Sequence, residues 1–162
     1  MILHSADTLQ KNTASDNQIL IATGGTTGLP KGTQWLHTDL WHKMSVWSFG
    51  AMAPAALKKP PESIDQYIEI LQELPPSAPL FPLCPLMHGT GQFSAFITLA
   101  LGGCIITMPN RNFDPAKLWD TVERDQVNSI VIVGQAFAGP MLESLDENVG
   151  RWNLSSVVQM GS

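Results

Sequence analysis

Short apolar runs alternate with helical patterns from Leu80 onward, and this alternation constrains the fold more than any other feature. The runs cover residues 80–83, 104–108, 129–133 and 155–160, and the helical patterns cover 92–101, 115–124 and 135–145, the last bent at Gly139-Pro140. Strands that are apolar on both faces and separated by helices are typical of parallel sheets covered by helices. The sequence therefore predicts an α/β fold with a mostly parallel sheet flanked by helices.

Two helices carry explicit boundary signals. Asp114 can cap a helix that has Pro115 at its first position, and Phe113 can staple against Leu118. Eight of the twelve prolines lie within an excursion over residues 54–85, and they enclose a second helix. This helix spans Ser63 to Leu74, with an apolar stripe of Ile64, Tyr67, Ile68, Leu71 and Leu74. Its polar face is acidic, so we expect it to cover core rather than to bind a membrane.

Composition limits the classes of function. The 162 residues suffice for one domain, but only 14% are charged, against about 25% in a typical domain, which indicates that much of the chain is interior to something larger. A net charge of −5 argues against a nucleic-acid partner. No apolar run reaches the roughly 18 residues of a membrane span, and residues 1–17 form a polar segment unlike a signal peptide.

The cysteines, tryptophans and aspartates favour structural roles. Cys84 and Cys104 lack a CxxC spacing and are expected to be small buried hydrophobes in a reducing, cytoplasmic setting. The tryptophans at 35, 41, 47 and 119 are expected to pack, and the aspartates at 39, 114 and 120 to cap helices or face solvent. We therefore expect no metal site in these residues.

A glycine- and threonine-rich run, TGGTTGLPKG, covers residues 23–32. Its glycines can adopt positive φ, and successive backbone N–H groups in such a loop form an anion-binding concavity. Threonine hydroxyls and a lysine ammonium add donors for phosphate. The residues that would bind phosphate are Thr23, Gly24, Gly25, Thr26, Thr27, Gly28 and Lys31. We predict that a buried strand over 19–22 leads into this loop and that a helix over 38–49, capped by Thr38, follows it.

The run resembles the signature [ST]-[SG]-G-[ST]-[ST]-G-x-P-K-G of the adenylate-forming (AMP-binding) superfamily, which includes acyl-CoA synthetases. Most members have serine at the position of Gly24. Members with glycine there are familiar among long-chain and steroid-side-chain acyl-CoA ligases. His88 lies in PLMHGTGQF, on a bend before a helix, where a lone histidine is more often structural. His88, Gly89 and Thr90 nevertheless match a second superfamily element. Gly161 and Ser162 resemble the opening of a segment that lines the acyl pocket.

The resemblance spans residues 18–162 and implies a partial AMP-binding domain of the acyl-CoA synthetase type, a fragment of the large domain that is inactive alone. It implies ATP, Mg²⁺ held by ligands outside this chain, coenzyme A and a hydrophobic carboxylate as reactants, with the remainder of a parent chain as partner. Lys31 and His88 would be catalytic, the loop would bind the β- and γ-phosphates, and His88, Gly89, Gly161 and Ser162 would bind the carboxylate substrate. Two alternatives stay open: an adenylation domain that loads a carrier protein or activates an amino acid, and a non-catalytic nucleotide- or pyrophosphate-binding module.

Overall fold

The structure is a computed structural model that describes residues 17–23, 31–43, 61–75, 78–109 and 112–161. The chain divides into two compact units, residues 1–43 and residues 44–162. In the first unit, strands β1 (Gln18–Thr23) and β2 (Lys31–Leu36) pair antiparallel. Helical residues 37–43, here α1, follow β2 directly. Because this helix already includes Thr38, the prediction that Thr38 caps it is wrong, and the predicted extension to residue 49 lies outside the described residues.

Strand β1 has one covered face rather than two. Ile21 is buried and Ile19 is half-buried, whereas Leu20 between them is 66% exposed. The prediction of a fully buried strand was therefore wrong. The physical reason is the pairing: β1 belongs to a two-stranded antiparallel ribbon, and such ribbons can leave one face in solvent.

The second unit contains the predicted α/β arrangement. Its helices are α2 (Ile64–Glu73), α3 (Gly89–Ala100), α4 (Pro115–Arg124) and α5 (Gln135–Glu147), and its strands are β3 (Leu80–Pro82), β4 (Ser129–Val131) and β5 (Gln159–Gly161). The three strands form a parallel sheet in the order β3-β4-β5. The predicted strand over 104–108 is reduced to one parallel bridge between Ile105 and Leu80. The prediction of a parallel sheet with flanking helices is confirmed.

The core of the second unit lies between this sheet and helices α4 and α5. Its buried members are Phe81, Leu118, Trp119, Val122, Val127, Ile130, Ile132 and Met141. The Trp119 indole Nε1–H donates a hydrogen bond of 3.1 Å to the Met141 carbonyl oxygen, which joins α4 to α5. Asp114 caps α4 as predicted, since its Oδ1 accepts from the backbone N–H of Lys117 at 3.1 Å.

Helix α2 is anchored through one buried aromatic residue. Ser63 caps the helix, and the Tyr67 hydroxyl donates to the carbonyl oxygen of Ala100, the last residue of α3. However, Ile64 and Ile68 are 69% and 46% exposed. The predicted covering role thus holds only for the Tyr67 side of the stripe.

The two cysteines lie in different environments. Both are free thiols, and Cys84 is buried as predicted, but Cys104 is exposed, which contradicts the prediction. Cys104 precedes a segment that makes a single bridge rather than a full strand, so its side chain is not enclosed between sheet and helix. None of the helices in the described ranges is long and apolar enough to cross a membrane.

Candidate functional site

The glycine- and threonine-rich run joins the two strands of the first unit. Thr23 ends β1, Lys31 begins β2, and the two residues are register partners. The predicted phosphate ligands Gly24, Gly25, Thr26, Thr27 and Gly28 lie outside the described residues, as does the side chain of Thr23. The run is therefore the connection of a β-hairpin, and an exposed lysine stands where the chain enters β2.

The Leu20 side chain packs closely against Gly32, the residue that follows Lys31. A Cβ atom at Gly32 would lie 2.7 Å from Cδ1 of Leu20, across the hairpin. The exposed Leu20 side chain therefore occupies the space that a side chain at position 32 would need. Lys31 itself lies on the opposite face of β2, together with Thr33 and Trp35, because side chains alternate along a strand.

His88 is the N-cap residue of α3. Its Nδ1 accepts from the Thr90 backbone N–H at 3.4 Å, and its carbonyl oxygen accepts from the Gln92 N–H at 2.9 Å. The helix consequently begins at Gly89, three residues before the predicted start. A neutral imidazole that accepts at Nδ1 carries its proton on Nε2. The exposed His88 can thus cap the helix and still present one donor to a ligand.

The loop that carries His88 belongs to the carboxyl edge of the sheet. Because β3, β4 and β5 are parallel, their carboxyl ends meet at one edge. His88 and Gly89 follow β3, and Gly161 ends β5, where its carbonyl oxygen accepts from the Ile132 N–H at 2.9 Å. Ligands of open α/β sheets bind outside this edge. The structure thus assigns His88, Gly89 and Gly161 to the same edge, while Ser162 lies outside the described residues.

Gly134 is a further residue at this edge, and neither sequence motif includes it. It follows β4, caps α5 and has φ of +69°, a conformation that favours glycine. Its signal in the sequence was a glycine between an apolar strand and a helix, the arrangement in which a strand turns sharply at the sheet edge.

Cys84 and Asp120, two other titratable residues of this unit, have structural roles. Burial raises the pKa of the Cys84 thiol, which keeps this group neutral beneath the start of α3. Asp120 accepts from the Trp152 indole N–H at 2.6 Å and from Arg151 at 3.2 Å. Among the described residues, no group of three or more histidine, cysteine, aspartate or glutamate side chains could hold a metal ion.

A parallel sheet with loops gathered at its carboxyl edge is typical of α/β proteins that bind ligands such as nucleotides. Residues 4–162 match the family described as AMP-binding enzyme. The chain belongs to the AMP-binding enzyme family, which confirms the resemblance drawn from the two motifs.

Curated relatives share most of this chain. It is 30% identical over 154 residues to the medium/long-chain-fatty-acid–CoA/3-oxocholest-4-en-26-oate–CoA ligase of Mycolicibacterium smegmatis, and 31% identical over 153 residues to the 3-oxocholest-4-en-26-oate–CoA ligase of Rhodococcus rhodochrous. Each match covers 92% of this chain and 26% of the relative. The chain therefore spans about a quarter of the length of these relatives.

Solved structures support the same fold. The N-terminal domain of FACL13 from Mycobacterium tuberculosis matches 96% of this chain and 33% of its own with a TM-score of 0.63 and 21% identity. A putative long-chain-fatty-acid CoA ligase from Rhodopseudomonas palustris matches 98% of this chain and 34% of its own with a TM-score of 0.61 and 17% identity. At these identities the likeness establishes the fold.

Proposed function

We propose that this chain supplies the phosphate loop and the carboxylate end of the active site in an ATP-dependent, AMP-forming acyl-CoA ligase for a hydrophobic carboxylate. The observation that carries the proposal is the match to relatives named as fatty-acid and steroid-side-chain CoA ligases, at 30–31% identity over 92% of the chain. Medium- and long-chain fatty acids are accordingly the substrate class, and fatty-acid metabolism is the setting.

Lys31 and the loop before it would bind the β- and γ-phosphates of ATP. The pairing of Lys31 with Thr23 supports this role, because it keeps the lysine at one end of the loop that contains Gly24 to Gly28. ATP supplies the adenylyl group and the pyrophosphate leaving group. The backbone N–H groups of the loop and the Lys31 ammonium offset the charge on the departing pyrophosphate, the kind of electrostatic stabilisation that accelerates such displacements.

His88 would bind the carboxylate through its Nε2–H, with Gly89, Gly161 and Ser162 alongside. Its capping bond to Thr90 holds the imidazole by Nδ1 and supports this orientation. Apolar surface is available at the same bend, since Met87 is 87% exposed and Leu86 is 45% exposed. Such surface suits the hydrocarbon part of a fatty acid better than the polar group of an amino acid.

The chemistry then balances in two steps. A carboxylate oxygen attacks the α-phosphorus and the bond to pyrophosphate breaks; the sulfur of coenzyme A next attacks the acyl carbon, AMP leaves and the thiol proton passes to solvent. Mg²⁺ would act on the phosphates, with ligands that lie outside this chain. We place the reaction in the cytoplasm, which suits the two free thiols at Cys84 and Cys104.

The proposal is tested on the full-length gene product by measuring pyrophosphate release with ATP, Mg²⁺ and coenzyme A. We expect release that depends on dodecanoate and yields dodecanoyl-CoA. Release that depends on an amino acid instead would favour the carrier-loading alternative, and nucleotide binding without any acid-dependent release would favour a non-catalytic module. Either outcome would contradict the ligase proposal.

A further inference from the structure

The first turn of α3 packs unusually closely against the chain that leads into it. A Cβ atom at Gly91 would lie 2.9 Å from the Pro85 carbonyl oxygen and 3.0 Å from both the carbonyl oxygen and the Sγ of Cys84. Real Cβ atoms essentially never show contacts under 3.0 Å, and those of 3.0–3.4 Å are rare. Gly91 is also buried, so the helix cannot accept a side chain there without moving.

The Pro85 carbonyl group, which lies close to Gly91, also forms a hydrogen bond with His88. The Pro85 carbonyl oxygen that faces Gly91 accepts the His88 backbone N–H at 2.8 Å. His88 and Gly91, which lie three residues apart at the start of α3, therefore both contact the Pro85 carbonyl oxygen. A displacement of α3 from Pro85 would lengthen the bond that fixes the backbone of His88.

A side chain at position 91 could be accommodated only if helix α3 moved. Two of the three atoms close to Gly91 belong to the backbone and cannot move by a change of rotamer. Cys84 is buried, and Leu83 before it is tied to the sheet, since its N–H donates to the Val131 carbonyl oxygen at 2.8 Å. At Gly32, by contrast, the nearest atom is the end of a flexible leucine side chain. Hence a side chain at position 91 would shift α3, and His88 with it.

We infer that Gly91 is a positioning residue for His88, which it fixes at the carboxyl edge of the sheet for contact with the substrate carboxylate. The inference rests on the proposed role of His88. It adds a residue that contacts no reactant and that acts only through the close approach of α3 to Cys84 and Pro85.

The test is Gly91→Ala in the full-length gene product, with KM measured separately for dodecanoate and for ATP. We expect the KM for dodecanoate to rise about tenfold and the KM for ATP to change less than about twofold, because misplaced binding groups lose affinity only for the ligand they contact. Gly139→Ala is the matched control. A Cβ atom there would lie 3.7 Å from Gln135 Nε2, an ordinary contact, so we expect both KM values to be unchanged.

Equal increases in both KM values, or no change in a folded Gly91→Ala protein, would overturn the inference. If Gly91→Ala does not fold, the double variant with Cys84→Ala removes one of the three contacts and allows the same comparison. His88→Ala separates the two proposals. Should His88→Ala raise the KM for dodecanoate while Gly91→Ala does not, only the positioning role fails; should neither variant change it, the role of His88 fails as well.

Discussion

Thr23 and Lys31 are register partners at the loop end of a β-hairpin. Directly opposed residues in antiparallel strands have Cα atoms about 5 Å apart. The glycine- and threonine-rich connection therefore leaves and re-enters the hairpin at nearly the same place, with Lys31 at its exit. The two ends of the glycine- and threonine-rich motif therefore lie close together, with the Lys31 ammonium group at one of them. This arrangement suits the binding of phosphate.

His88→Ala should weaken the use of the carboxylate more than the use of ATP. The substitution removes the Nε2–H donor and the Nδ1 acceptor that caps α3. We expect the kcat/KM for dodecanoate to fall about 10- to 100-fold, as for the loss of one hydrogen bond to a charged group. Steady-state pyrophosphate release measures this. His37→Ala, at an exposed histidine of the other unit, is the control, and equal losses for both substrates would refute the assignment.

Trp119→Phe should destabilise the second unit. The substitution leaves the buried Met141 carbonyl oxygen without the indole N–H that now donates to it. The Met141 carbonyl oxygen lies inside α5 and is also an acceptor of the helix, so the lost bond costs about 1 kcal/mol, and the smaller ring adds a packing loss. Urea unfolding followed by circular dichroism should show a lower midpoint. A midpoint equal to that of the wild type would mean that this bond does not contribute to stability.

Tyr67→Phe tests how α2 is held. The ring remains in place while the hydroxyl that donates to the Ala100 carbonyl oxygen is lost. We expect a loss of about 1 kcal/mol in the free energy of unfolding, the usual net value of such a bond. Ile64→Ser on the same helix is the matched control, and because Ile64 is mostly exposed its effect should stay within about 0.5 kcal/mol. The opposite order of effects would show that Ile64 is the anchor.

Asp114 should make the stability of α4 depend on pH. The backbone N–H of Lys117, aided by the lysine charge, lowers the pKa of this carboxyl group. A lowered folded-state pKa means that the stabilisation is present above the unfolded value of about 3.9 and is lost as the pH falls through the folded value. The difference in unfolding midpoint between wild type and Asp114→Ala should therefore be larger at pH 6 than at pH 3. A difference that is constant with pH would exclude a charge-dependent cap.

Helix boundaries with local signals could be predicted from the sequence. Asp114-Pro115 fixed the start of α4 and Ser63 the start of α2, because both depend on side chains within one turn. The parallel sheet was also predictable, since two of its three strands, β3 and β4, lie in continuous apolar runs, although β5 is largely exposed. At the candidate site, the phosphate motif and His88 were identified from spacing and resemblance.

Features that depend on distant partners could not be predicted. The β2 sequence KGTQWL is largely polar and becomes a strand by pairing with β1, which also exposes Leu20. The exposure of Cys104 depends on a neighbouring segment that forms only one bridge. The role of Gly91 depends on distances to Cys84 and Pro85 that only the three-dimensional packing reveals.

The central claim is that the loop closed by Thr23 and Lys31 binds the phosphates of ATP, and Lys31→Ala tests it most directly. The substitution removes a cation, and charge-assisted bonds of about 1.5–3 kcal/mol correspond to losses of about 10- to 100-fold. In dodecanoate-dependent pyrophosphate release by the full-length gene product, we expect kcat/KM for ATP to fall by this factor while the KM for dodecanoate stays nearly unchanged. Lys43→Ala, at another exposed lysine of the same unit, should behave like wild type. An unchanged kcat/KM for ATP in Lys31→Ala, or a rise in the KM for dodecanoate equal to the rise in the KM for ATP, would contradict the account.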